Sequence, residues 1–180
     1  MNYSLPKTVE IEGNEYPVRT DFRDILEIFT ALNDPELTKE EKAVVVMNIF
    51  FEEVPEMALW EQALKEFVLF INMGEEEPKR MSPKLMDWEQ DFKYIIAPIN
   101  RVMGKEVRSI EYVHWWTFLS AYYEIGECTF SQIISIRDKQ SKHKPLEKWE
   151  KEWYRDHKDI VDFKTRYSQA EEDLLKQWGA

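Results

Sequence analysis

Three histidines, one cysteine and 35 carboxylates are the residues of this 180-residue chain suited to metal, nucleophilic or acid–base chemistry. Glu111 and His114 stand three apart, a spacing that places both side chains on one helical face and forms half of a di-iron carboxylate site. The second Glu-x-x-His pair that such a site needs does not occur, and His143 and His157 fall in other segments, so no metal is expected. Cys128 lies in the turn Gly126-Glu127-Cys128-Thr129, where a helix N-terminus could lower a thiol pKa. No local signature pairs it with a base, and a small turn residue accounts for it. Asp87 and Asp91 share a helical face, but a chain this rich in acids produces such pairs by chance; they read as caps and solvated surface. Walker, dinucleotide and serine-hydrolase motifs are absent. The residues therefore point away from an enzyme and imply no cofactor.

Composition narrows the class further. The formal charge is −11, and apolar types make up 43% of the chain, enough for a sizeable core and too much for global disorder. The charge is unevenly spread: residues 1–100 hold 10 basic and 21 acidic side chains, whereas residues 101–180 hold 14 of each. Within the second half, residues 137–166 are mildly basic, with 10 Lys/Arg against 7 Asp/Glu. Such a balance argues against nonspecific binding to nucleic acid or to an anionic membrane. No apolar run approaches the roughly 20 residues of a membrane helix, and the N-terminus has no secretory signal pattern. One cysteine cannot form an intrachain disulfide, in keeping with a reducing cytosol.

The elements that must position these residues are mostly helical. Thr8-Val9-Glu10-Ile11 and Tyr16-Pro17-Val18-Arg19 alternate around Glu12-Gly13-Asn14-Glu15, which predicts a β-hairpin with an open edge at Pro17. Helices follow from Thr20 or Asp21 to Leu32, from a Thr38-Glu41 capping box to about Phe51, and from about Glu56 to Met73 with Gly74 as its stop. The third carries a wide apolar stripe, Leu59, Trp60, Ala63, Leu64, Phe67, Val68 and Ile71, that implies burial. A charged, proline-bounded loop or hinge spans Glu75 to Pro83. Asp87 caps a helix to Met103, with Gln90 at the capping-box position and a kink or break expected at Pro98. Ser109 is the expected cap of a helix from Ile110 to about Ile125, and Thr129 of one from Phe130 to about Gln140.

After Pro145, a natural first helical residue, comes the longest periodic segment. One heptad seam reads Leu146, Trp153, Ile160, Tyr167 and Leu174; the other, only partly apolar, reads Trp149, Asp156, Phe163, Ala170 and Gln177. This predicts a long C-terminal helix, either an arm or a helix folded back on the core, unless Ser168 with Glu171 caps a restart. The predicted fold is thus mainly α: a helical bundle with a short N-terminal β-hairpin and a long C-terminal helix. The hairpin and helical core occupy 1–143, and a heptad-patterned extension occupies 144–180. Seven tryptophans exceed what such a core buries fully. Trp60 and one of Trp115 and Trp116 suit inter-helix packing. Trp116, Trp149, Trp153, Ile160 and Tyr167 are the candidate partner-binding residues.

Met86-Asp87-Trp88-Glu89-Gln90-Asp91, then Gly104, His114-Trp115-Trp116-Thr117-Phe118, and the stretch from Thr129-Phe130 to Ile136-Arg137 resemble a family of bacteriophage proteins. This is the small gene product fifteen family, encoded between tail tube and tape measure genes in phages and prophages of Gram-positive bacteria. The resemblance covers roughly residues 8–140, thins beyond Lys144, and departs from the family pattern at Pro98, Met103 and Glu106. It implies a tail assembly chaperone that binds the tape measure protein and keeps it soluble in the host cytoplasm until the tail tube polymerises around it. The tail tube protein and further copies of the chain are additional partners on this reading, and no catalytic residues are implied. The alternative is a structural tail or connector component retained in the virion.

Overall fold

A computed structural model describes residues 4–76 and 82–177, leaving Trp178 and most of the charged loop 75–83 outside the described residues. It is mainly α with one two-stranded hairpin, as expected. The chain divides into two compact units: residues 1–77, 114–116 and 165–180 form the first, and residues 78–113 and 117–164 form the second.

In the first unit, strands β1 (Thr8–Ile11) and β2 (Asn14–Pro17) pair antiparallel with Ile11 opposite Asn14. The turn is therefore two residues, Glu12-Gly13, shorter than the four expected. Both have positive φ, 51° and 80°, the geometry whose twist matches paired strands. The position of Pro17 is not left open, since its carbonyl accepts the Glu52 N–H at 3.0 Å. Helix α1 (Phe22–Leu32) is capped by Asp21, and α2 (Lys39–Phe50) by the predicted Thr38-Glu41 box. Glu41 is held below the ordinary carboxylate pKa by its hydrogen bonds from Thr38. Arg19 closes the other end of α2, its Nη1 donating to the carbonyls of Asn48, Ile49 and Phe51 at 2.8 to 2.9 Å. Three orphan acceptors at the negative end of a helix thus meet one cation.

A 3₁₀ turn at Met57–Leu59 delays α3 to Trp60–Ile71. Its inner face, Ala63, Phe67 and Phe70, is buried, and Phe50 of α2 packs on Phe67 and Phe70 with ring centroids 5.1 Å apart. Leu64 and Val68 of the predicted stripe, and Leu69 beside it, are only half-buried, so that stripe is wider than the buried face.

The second unit opens with α4 (Trp88–Met103), which runs unbroken through Pro98. Pro98 is buried beside Ile95, Ile96 and Ile99, and that packing outweighs the roughly 3 kcal/mol a mid-helix proline costs. Gly104 ends α4 at φ 70°, as a left-handed cap. The helix expected from Ile110 starts five residues later, as α5 (Trp115–Tyr123). Residues 110–114 are non-helical instead, because His114 bridges Asp21 and the Trp115 N–H donates to the Thr20 carbonyl at 2.7 Å. Helix α6 (Thr129–Ser141) is capped by Cys128 rather than Thr129: Sγ accepts the Ser131 N–H, and the Cys128 N–H donates to Ser131 Oγ.

The long C-terminal helix is not continuous. It is divided into α7 (Lys148–Asp156), α8 (Lys158–Val161) and α9 (Gln169–Gln177). Pro145 does not open α7, which is capped by Glu147. His157 interrupts the first pair at φ −128°, ψ 24°, and residues 162–168 are non-helical. The heptad seam therefore never forms one stripe. Ser168 and Glu171 cap the restart, with the Ser168 N–H donating to Glu171 Oε2 at 2.8 Å. The side chains of Leu174 and Gln177 lie outside the described residues. Leu146, Trp153, Tyr154 and Ile160 pack on the cluster Ile133, Ile136 and Val161, inside the second unit.

Candidate protein-interaction surfaces

The residues singled out for chemistry take up structural duties first. Asp91 is fully buried, contrary to the expectation of solvated surface, and faces Arg137, which is only 4% exposed. The pair is bidentate, with Nη1 donating to Oδ2 at 2.6 Å and Nη2 to Oδ1 at 3.0 Å. Arg137 sends its three remaining N–H groups to the carbonyls of Leu85, Ile160 and Val161. All five donors of the guanidinium are thereby satisfied, as a buried charge requires. The Phe163 ring covers it, 4.1 Å from its carbon to the centroid. Gln90 does not complete the Asp87 capping box. Asp91 does so, accepting the Asp87 N–H at 2.9 Å, while the Gln90 amide donates to the Asp162 carbonyl and accepts the Lys164 N–H. Arg137 and Gln90 together claim the backbone of residues 160–164, which explains why the C-terminal helix stops there.

His114-Trp115-Trp116 is a second clasp. His114 Nδ1 accepts the Trp116 N–H at 3.0 Å, and Nε2 lies 2.8 Å from the Pro6 carbonyl. One ring nitrogen must accept and the other donate, so the imidazole is neutral with its proton on Nε2. Burial agrees, lowering the His114 pKa from its ordinary value. The indole N–H groups of Trp115 and Trp116 donate to the carbonyls of Ile71 and Phe70, at 2.9 and 2.7 Å. These carbonyls belong to the last turn of α3, where helical partners run out. Trp116 thus spends its polar handle inside the first unit.

The other candidate partner-binding residues are dispersed. Trp149 is 56% exposed on α7. Trp153, one turn on, is half-buried on the Ile133 cluster, stacked on His157 with ring centroids 4.2 Å apart. Ile160 packs on the same cluster, and Tyr167 is exposed beyond α8. Lys139 places Nζ 2.6 and 2.7 Å from the two oxygens of buried Glu150, tying α7 to α6 and holding the Glu150 pKa down.

What the tryptophans did not reveal is a groove of about 500 Å³ along the uncovered flank of α3, lined by Leu64, Val68 and Leu69 with Glu61, Lys65 and Glu76 at its rim. The apolar stripe of α3, which holds Leu64 and Val68 but not Leu69, was its sequence signal, and that stripe implied burial. The unit that carries it holds 8 Lys/Arg against 21 Asp/Glu, a net −13; the other unit holds 16 against 14. A second cavity, about 400 Å³, lies in the second unit between Lys93, Pro98, Arg101 and Cys128, of mixed charge. Among the described residues, no three His, Cys, Asp or Glu side chains gather as a metal site, and no helix is long and apolar enough to cross a membrane.

The family model for the bacteriophage Gp15 protein matches residues 1–163, and the chain belongs to that family. The match runs through Ile160 and Phe163 and ends before Tyr167, so it takes in both clasps and α7. Searches of curated proteins and of solved structures returned no match.

Proposed function

From membership in the bacteriophage Gp15 family, we propose that this chain is a tail assembly chaperone. It binds the tape measure protein in the host cytoplasm, keeps it dispersed until the tail tube polymerises around it, and acts without catalysis or cofactor. A tape measure protein is a long helical chain whose apolar faces aggregate before the tube encloses them. The observation that carries the reading is the pairing, in one compact unit, of an open apolar groove with a net charge of −13. An apolar groove covers a helix face, and like charge on many bound copies keeps the complexes apart.

Co-expression with the tape measure protein of the same phage is the test. The expected result is a soluble complex that survives size exclusion, with the chaperone missing from purified virions. A tape measure protein that remains insoluble overturns the reading. Stoichiometric presence in virions also overturns it, in favour of a structural tail or connector component.

A further inference from the structure

Among the described residues, no packed element covers the outer flank of α3. Leu64, Val68 and Leu69 stand on α3 beside the buried face formed by Ala63, Phe67 and Phe70, so this helix is apolar on two faces and, among the described residues, covered on one. Glu61, Leu64, Lys65 and Val68 follow at intervals of three and four, so the groove runs along the helix for about two turns. A trough of that length suits the apolar stripe of another helix. The rim selects its flanks. Glu61 and Glu76 are carboxylates, and the cation among the described lining residues, Lys65, is held by Glu61 at 2.7 Å, which also keeps Glu61 below the usual carboxylate pKa. The surrounding unit is strongly negative.

We propose that the α3 groove is the docking site for an amphipathic helix whose apolar stripe, at i, i+3, i+4 and i+7, is flanked by Lys or Arg. Leu64, Val68 and Leu69 receive the stripe, while Glu61 and Glu76 meet the basic flanks. That such helices come from the tape measure protein rests on the proposed chaperone role; the recognition chemistry does not. Complementary rim charge speeds encounter and rejects acid-flanked helices, and the apolar trough holds what docks.

Two synthetic 18-residue helical peptides with the same leucine stripe, one flanked by lysine and the other by glutamate, serve as probes in fluorescence anisotropy at 50 and 500 mM NaCl. The full chain is expected to bind the lysine peptide at least tenfold more tightly than the glutamate peptide, with the difference shrinking at high salt. Val68→Asp should weaken binding at least tenfold. Glu76→Lys, at an exposed position that does not threaten folding, should weaken it severalfold, whereas Glu53→Lys, also exposed but outside the groove, should not. Equal loss from Glu76→Lys and Glu53→Lys would mean bulk charge attraction and overturn the site. So would unchanged binding by Val68→Asp in a variant of native circular dichroism, or a wild-type dimer, seen in sedimentation, that Val68→Asp dissociates, since a second copy would then be the occupant. Tape measure solubility separates the two proposals. If Val68→Asp and Glu76→Lys still solubilise the tape measure protein, the groove assignment fails and the chaperone stands. If the lysine peptide binds while the wild type leaves the tape measure protein insoluble, the groove stands and the chaperone fails.

Discussion

The side chains with the greatest chemical potential in this chain hold backbone together. Asp91 and Arg137 illustrate the energetics: a buried ion pair contributes little net stability against apolar replacements of similar size, yet losing one partner strands a charge at about 3–5 kcal/mol. Arg137→Met should therefore lower unfolding stability by that order in urea titrations, and Asp91→Leu on the Arg137→Met background should restore much of it. Additive losses in the double variant would show that the pair is not coupled. His114 makes a pH prediction. Its pKa is lowered by burial, so the unfolded chain takes up the proton at higher pH than the native one. The stability it contributes is complete above about pH 6.5 and is lost as pH falls through the lower folded value. Nitrogen-15 NMR should find it neutral with the proton on Nε2 at pH 7; a proton on Nδ1 would contradict the cap on Trp116. Cys128→Ser should be neutral or stabilising by up to about 1 kcal/mol in thermal denaturation, because a hydroxyl caps better than the sulfur now 3.5 Å from the Ser131 N–H.

At the scale of elements, α7 separates two residues that look alike in sequence. Trp149 and Trp153 are one turn apart, but Trp149 faces solvent while Trp153 packs on Ile133, Ile136 and Val161. Trp149→Ala should change stability by less than about 0.5 kcal/mol, and Trp153→Ala should cost about 2–3 kcal/mol, both read from urea midpoints. Equal effects would place both residues on the same kind of surface. The capping residues Thr38 and Asp87 were legible because a cap is a local interaction, decided within four residues of chain. The starts of α5 and α7 were not. Thr20 and Pro6 set the start of α5 from elsewhere in the chain; α7 opens on a local Glu147-Glu150 box, where Pro145 was the expected first residue.

For the whole molecule, the position of residues 144–164 is decisive. A chain ending at Lys164 keeps Phe163 over Arg137 and the carbonyls of Ile160 and Val161; a chain ending at His157 loses all three and uncovers the Ile133 cluster. Removing residues 165–180 should thus shift the thermal midpoint by a few degrees, and removing residues 158–180 should abolish cooperative unfolding of the second unit in calorimetry. If both truncations behave alike, the C-terminal segment is an appendage after all. The net charge of −11 also resolves at this scale: the excess belongs to the unit with the α3 groove, and the unit with Trp149 is close to neutral.

The mainly helical class, the hairpin, several caps, the acid-rich first half and the resemblance to a phage family were all legible from residue order, since periodicity, turn chemistry and composition act over short stretches of chain. The burial of Asp91, the break in the heptads and, among the described residues, the open flank of α3 come from the fold. Each of those depends on which distant group claims a backbone carbonyl or an apolar face. Heptad spacing says where a seam would lie if the helix continued; the five donors of Arg137, three of them aimed at main-chain carbonyls, decide that it does not.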